Sequence, residues 1–341
     1  MPAPTPDATT VPTGRWPAAA AEARLHWVSG KGGTGKSTVA ASLALALAAE
    51  GKRVLLVEVE GRQGIAQLFD TPPLPHEEKR IAVAAGNGEL RALAIDVETA
   101  LMEYLAMFYN LGFAGRAMKR VGAVEFATTL APGLRDVLLT GKVKECVVRT
   151  EADGRHTYDA VVVDAPPTGR VVSFLDVTRA MADLAKTGPI RSQSESVIEL
   201  LHSPASVVHL VTLLEELPVQ ETIDALEELR AADLRVGAVV VNMARPDQLP
   251  PDTVADAAVG TIDAAALRAG LAAAHVEVSE DDVAGLVTAA VEHAARVATQ
   301  RASRERLRAI GADVVELPLL ADGVDLGALY ELAERLTEAG A

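Results

Sequence analysis

The sequence predicts an α/β fold: a mostly parallel sheet sandwiched by helices, with a helical subdomain inserted into it. Three observations predict it. Short apolar, β-branched runs recur along the 341 residues, helical patterns separate most of them, and a glycine-rich loop lies between the first run and the first long helix. The runs at Leu25–Val28, Val54–Val57, Leu93–Ile95, Ala160–Val163, Val207–Val211, Val236–Val241 and Val314–Leu317 read as buried strands. They are continuously apolar, as parallel strands covered on both faces must be. Helices between successive strands imply right-handed crossovers. Hydrophobic residues make up 49% of the chain but aromatic ones only 3%, so Ala, Val and Leu must build the core.

Residues 1–22 are rich in Pro, Ala and Thr and hold no long apolar run, so they read as a flexible tail rather than a secretory leader. Residues 23–98, 154–179 and 205–341 carry the strand–helix rhythm and read as one α/β domain. Residues 99–153 and 180–204 break that rhythm and read as the inserted helical subdomain. A further helical insertion, about 245–311, is Ala-rich and acidic and opens with Pro246, Pro250, Pro251 and Gly260. The apolar stretch around Val39–Ala49 is well short of the ~20 residues a membrane span needs, and a cytoplasmic location is expected.

Charge narrows the partners. A formal net charge of -15 repels phosphate backbones and gives no polybasic anchor, so nucleic acid is not an expected partner and membrane contact is only indirect. The single cysteine, Cys146, forms no CxxC pair, and the seven histidines are scattered. Neither zinc nor an iron–sulfur cluster is therefore expected.

The chemistry concentrates at Gly30-Lys31-Gly32-Gly33-Thr34-Gly35-Lys36-Ser37, followed by Thr38. It fits the phosphate-loop pattern G-x-x-x-x-G-K-[ST], with a strand before it and a helix, Ser37–Glu50, after it. The glycines let backbone N–H groups curl around phosphates without side-chain clash, and the helix N-terminus adds free donors. Lys36 reaches the β/γ oxygens and the Ser37 hydroxyl ligates Mg²⁺, so ATP and Mg²⁺ are the expected cofactors. The fold class is thereby that of a P-loop NTPase.

Lys31 adds a second lysine at the start of the loop, and KGGTGKST resembles the deviant Walker A motif. Four further segments carry a more specific resemblance. Val161 through Arg170 (VVVDAPPTGR) is similar to the switch II pattern D-T-A-P-T-G-H; Ala131-Pro132-Gly133-Leu134-Arg135-Asp136 is similar to P-G-h-x-E/D; Val241-Asn242 and Leu317-Pro318-Leu319-Leu320 end late strands. In that order they resemble the arsenite-pump ATPase family, which includes the tail-anchored-protein-targeting ATPase. The likeness spans about residues 24–340 and is nearest to single-domain actinobacterial members.

The resemblance implies an ATP·Mg²⁺-dependent dimeric switch. Lys31 would reach the partner subunit's nucleotide, and Asp164 would hold Mg²⁺ through water. Gly169 would offer its N–H to the γ-phosphate, and Asn242 and Pro318 would flank adenine. The subdomain helices would line a groove for an apolar client. Residues 101–118 suit such a groove, since Met102, Tyr104, Met107, Phe108, Tyr109, Phe113 and Met118 gather there in an aromatic-poor chain. They equally suit the subdomain's own core.

Switch I departs from the family. The segment reads Glu58-Val59-Glu60-Gly61-Arg62-Gln63-Gly64, and Glu60 stands where the family has a water-positioning Asp. One extra methylene shifts the carboxylate by about an ångström, which can cost ~10²-fold in rate. Gln63 is the alternative residue for orienting water. Two functions follow: a self-sufficient ATPase switch that controls a protein or membrane-protein partner, or a poorly hydrolysing regulatory subunit that pairs with a catalytic paralogue. The dimer, homodimer or heterodimer with that paralogue, must be non-covalent because Cys146 alone builds no clamp.

Overall fold

The computed structural model describes residues 14–109, 133–184, 189–321 and 323–341. Their sheet has eight strands: β1 (Leu25–Gly30), β2 (Arg53–Glu58), β3 (Lys79–Ala84), β4 (Gly88–Ala94), β5 (Ala160–Asp164), β6 (Ser206–Thr212), β7 (Val236–Ala244) and β8 (Val314–Pro318). The order is β3-β4-β2-β5-β1-β6-β7-β8, and every neighbouring pair is parallel except β3–β4. β1 lies between β5 and β6, with Val28 opposite Asp164 and Gly30 opposite Val211. The chain winds outward on both sides of β1, so the carboxyl ends of β1, β2, β5 and β6 meet at a topological switch point, where α/β sheets bind ligands.

The expected strands all form, most within a residue or two at their ends, but β4 begins five residues before the expected Leu93 and β7 runs three residues past Val241. β3 went unpredicted. It is a charged, largely exposed edge strand, beginning Lys79-Arg80, and its alternation is too weak to separate it from a loop. Its charge and its antiparallel pairing with β4 cap that edge of the sheet.

Each sheet face is buried by helices. On one face α2 (Lys36–Leu47), α3 (Gly64–Leu68) and α12 (Leu326–Ala339) cover Val28, Leu56, Val162 and Val240. On the other lie α4 (Val97–Tyr109), α5 (Leu134–Val148), α6 (Thr168–Leu184), α7 (Pro189–Leu201) and α8 (Glu216–Ala231). Leu101, Leu139, Val143, Phe174, Val197 and Leu226 on these helices share one core with Leu25, Trp27, Val57 and Val163. The described parts of residues 99–153 and 180–204 thus pack directly on the sheet. Leu101 is core, and Met102 packs against that core. The side chains of Tyr104, Met107, Phe108 and Tyr109, and all of Phe113 and Met118, lie outside the described residues.

The expected tail is not free over its last residues. Trp16 is 4% exposed, its backbone N–H donates to the Ala339 carbonyl at 2.7 Å, and its ring stacks on His209 at 4.8 Å. A short helix, α1 (Ala18–Ala21), leads from it to β1. One large aromatic among small residues is enough to pin a segment whose composition reads as flexible.

The insertion at 245–311 folds into α9 (Pro251–Ala258), α10 (Ala264–Ala273) and the 30-residue α11 (Glu280–Ala309). Ser279 starts α11 with a reciprocal capping box to Asp282, and Asp263 caps α10. The far end of α11 returns to the body, where Arg304 holds Glu316 of β8 through two nitrogens at 2.8 and 2.9 Å.

Candidate functional site

β1 delivers the phosphate loop into the switch point, and local contacts fix its curl. The Thr34 N–H and hydroxyl both donate to the Lys31 carbonyl, at 3.3 and 2.9 Å. Gly33 and Gly35 take φ of +89° and +84°, angles that favour glycine. Gly35 is tight as well, because a Cβ there would meet Asn242 Nδ2 at 2.3 Å. Gly30 is held by the neighbouring strand, where a Cβ would meet the Val211 carbonyl at 2.2 Å. Around Gly32 and Gly33 a Cβ would meet nothing, so that side of the loop is open to a ligand. Residues 36–38 form the first turn of α2, with Ser37 and Thr38 half-buried.

Lys36 is 8% exposed, with Nζ 3.5 Å from the Lys31 carbonyl. Burial lowers its pKa, while Asp164 and Glu60 raise it. The Ser37 hydroxyl donates to Asp164 Oδ2 at 2.5 Å. Burial pushes the Asp164 carboxyl up to about 6, against the pull of Ser37 and Lys36, and the nearby Glu58 and Glu60 add to the rise. A hydroxyl and a crowded carboxylate converging beside a lysine suit a hard divalent cation, which would relieve that crowding. Among the described residues no three His, Cys, Asp or Glu side chains group as metal ligands. A nucleotide-bound Mg²⁺ needs only one or two protein ligands, with phosphates and waters supplying the rest.

Both switch segments reach this point. The Pro166 carbonyl of switch II accepts from the Ser29 hydroxyl at 2.6 Å, tying the segment to the end of β1. Gly169 lies in the first turn of α6, where a Cβ would meet nothing within 4 Å. In switch I a Cβ on Gly64 would lie 3.5 Å from Ser37 Oγ. Glu60 is ion-paired with Arg62 at 3.3 Å. Gln63 is engaged at both ends of its amide. Nε2 donates to the Leu74 carbonyl at 3.2 Å, and Oε1 accepts from the Leu74 N–H at 2.6 Å. Gln63 in this arrangement braces backbone rather than holding a water.

A cavity of about 200 Å³ joins the two switches to α5, lined by Glu60, Arg62, Arg135, Asp136 and Arg170 among others. Burial raises the Asp136 pKa, and Arg170 and Arg135 lower it. Asp136 of the P-G-h-x-E/D segment therefore feels switch II electrostatically.

Sequence reasoning missed two residues here. Glu58 ends β2, is 2% exposed, stands opposite Asp164, and accepts from the backbone N–H groups of Gln63 and Ile65. An acid closing a four-residue apolar run was the available signal. Glu221 of α8 holds Lys31 Nζ at 2.7 Å, and 190 residues of separation leave no local signal for that pair.

The residues expected around adenine lie beyond the loop. Asn242, 3% exposed, donates from Nδ2 to the Thr34 carbonyl at 2.9 Å. Pro318 ends β8 opposite Ala244. Among the described residues no helix is long and apolar enough to cross a membrane.

Comparison with known proteins agrees with this geometry. The family model described as anion-transporting ATPase matches residues 23–204. The chain is 59% identical over 325 residues to ATPase BagA of Mycobacterium tuberculosis, covering 95% of this chain and 96% of that protein. It is 25% identical over 253 residues to ATPase GET3 of Kluyveromyces lactis, covering 64% of this chain and 71% of that protein. It is 25% identical over 234 residues to the arsenical pump-driving ATPase of Acidiphilium multivorum, covering 64% of this chain and 39% of that protein.

Proposed function

The chain belongs to the anion-transporting ATPase family, and we propose that it is a cytoplasmic ATP·Mg²⁺-dependent switch that dimerises on nucleotide and controls a protein or membrane-protein partner. The observation that carries this reading is the contact of Ser37 Oγ with Asp164 Oδ2 at 2.5 Å, beside the buried Lys36. It brings the phosphate loop and the Asp164 segment together, which supports a shared cation position.

In this reading the loop N–H groups of Gly32 through Ser37 hold the β- and γ-phosphates, and Lys36 offsets their charge. Ser37 and Asp164 would hold Mg²⁺, which would supply charge neutralisation at the phosphates. Gly169 offers its N–H to the γ-phosphate. Glu60 leaves Arg62 to orient the attacking water. Lys31 leaves Glu221 and crosses to the partner subunit's phosphates. Loss of the γ-phosphate releases both switches, and the Asp136–Arg170 proximity passes the change to α5 and the helical subdomain. An apolar client at residues 101–118 is the partner class this coupling serves.

Two observations favour a second reading, a poorly hydrolysing subunit paired with a catalytic paralogue. Glu60 is held by Arg62, and the Gln63 amide is committed to Leu74. Steady-state ATP hydrolysis decides between them, with Lys36→Ala as the blank and Glu60→Asp alongside. Turnover above the blank is expected for the switch. Binding without turnover, with a gain on Glu60→Asp, would replace it by the regulatory reading.

A further inference from the structure

The cavity of about 200 Å³ between switch I, the start of α5 and the first turns of α6 is smaller than the ~300 Å³ at which pockets for larger organic ligands begin. Its size suits a small ion with a few waters. None of its lining residues belongs to the phosphate loop. It lies within electrostatic reach of that loop all the same, because Glu60 acts on both Lys36 and Asp164, and Arg62 acts on Lys36.

Three arginines line this space, Arg62, Arg135 and Arg170, against two acids, Glu60 and Asp136. The surplus is positive, in a chain of net charge -15. Arg62 is spent on Glu60 at 3.3 Å. Among the described residues Arg135 and Arg170 make no ion pair, and the half-buried Asp136 carboxylate makes no hydrogen bond. Two unpaired guanidinium groups and a bare carboxylate therefore face one small space from α5 and α6. Guanidinium groups donate to oxyanion oxygens, whereas an ionised carboxylate only accepts. Such a trio repels an oxyanion that has no proton and holds one that keeps a proton. Orthophosphate keeps a proton at neutral pH, and sulfate does not.

We propose that this cavity is a site for protonated orthophosphate, placed to take the phosphate that ATP cleavage releases; the inference rests on the ATPase reading above. Arg135 and Arg170 donate to the phosphate oxygens, and Asp136 accepts from its hydroxyl. Cleavage frees phosphate beside Lys36, and both switches border the cavity. An ion held there ties α5 to α6 after the γ-phosphate has left the nucleotide. The helical subdomain then responds to the departure of phosphate as well as to cleavage.

The test titrates orthophosphate and sulfate calorimetrically into the Mg²⁺·ADP-loaded wild type, Arg135→Gln, Arg170→Gln and Asp136→Asn. The wild type is expected to bind phosphate at one saturable site, about tenfold or more tightly than sulfate. Either arginine substitution is expected to weaken phosphate by about tenfold, the scale of one charge-assisted hydrogen bond, and to leave ADP affinity unchanged. Asp136→Asn, whose amide can donate, is expected to admit sulfate and erase the preference. A wild type without a phosphate site, or one that binds sulfate as tightly, would overturn the proposal, and these arms need no variant to fold. Phosphate binding indifferent to Arg135→Gln would put the ion on the phosphate loop and overturn it too. So would loss of ADP binding in the arginine variants, which would make those residues supports of the nucleotide site. Failure of the ATPase reading looks different: the wild type would not load ADP, or would show no turnover above Lys36→Ala.

Discussion

Acid should unfold this protein through two histidines beneath the phosphate loop. His26 of β1 and His209 of β6 are 0% exposed, and their rings stack at 5.4 Å. The Ala238 N–H donates to His209 Nδ1 at 3.0 Å, so that nitrogen carries no proton. His209 Nε2–H then donates to His26 Nδ1 at 3.1 Å, and His26 Nε2–H donates to the Ala23 carbonyl at 3.1 Å. The chain of bonds fixes both tautomers and requires both rings neutral. Burial lowers the His26 pKa to about 4 and drives His209 well below its ordinary value. A histidine whose folded pKa is depressed contributes stability above its unfolded pKa of about 6.5, and loses it as pH falls. The cost approaches about 1.4 kcal/mol per pH unit per histidine below that, so the pair loses about 3 kcal/mol between pH 6.5 and 5. That is a large share of the 5–15 kcal/mol typical of a domain. Urea unfolding at pH 8, 7, 6 and 5 measures it. His26→Gln, whose amide can still donate to Ala23, is expected to halve the slope below pH 6.5. An unchanged slope in that variant, or a wild-type profile flat from pH 7 to 5, would refute the neutral-pair assignment.

Three other perturbations separate the roles of named residues. Gln63→Ala removes both bonds to Leu74 and is expected to lower stability by about 1–2 kcal/mol in urea; an unchanged midpoint would free Gln63 for a role on the attacking water. Glu221→Gln releases Lys31 from a partly exposed ion pair worth at most ~1 kcal/mol. Nucleotide-driven self-association, read by sedimentation at low salt, should therefore tighten by no more than about fivefold, and a weakening would show that Glu221 aims Lys31 rather than parks it. The Cys146 thiol is buried and its pKa is pushed up to about 12, so the native chain should resist maleimide at pH 8 and react only in denaturant; fast native labelling would contradict its burial.

The parts of this fold that were legible are those set by short-range patterns. Continuous β-branched runs fixed the interior strands, because a strand buried on both faces tolerates little else. The phosphate loop was legible because its backbone needs glycine at Gly33 and Gly35 and its chemistry needs Lys36 and Ser37. The resemblance drew Asp164 to the same point, and the geometry joins it to Ser37. What stayed hidden depends on distant contacts. Trp16 stacks on His209 across nearly two hundred residues, Lys31 pairs with Glu221, and Gln63 spends its amide on Leu74. The course of α11 was hidden differently. Its insertion reads as an exposed, Ala-rich excursion, and nothing local shows that α11 returns to the carboxyl ends of the central strands.

The most direct measurement is the affinity of the chain for Mg²⁺·ATP, titrated calorimetrically against Lys36→Ala. A working phosphate loop should bind in the low-micromolar range or tighter, and loss of the buried lysine should cost about 100-fold, the scale of a buried charge–phosphate contact. Equal heats and equal affinities in the two chains, or no binding by the wild type, would contradict a nucleotide site built on Lys36, Ser37 and Asp164.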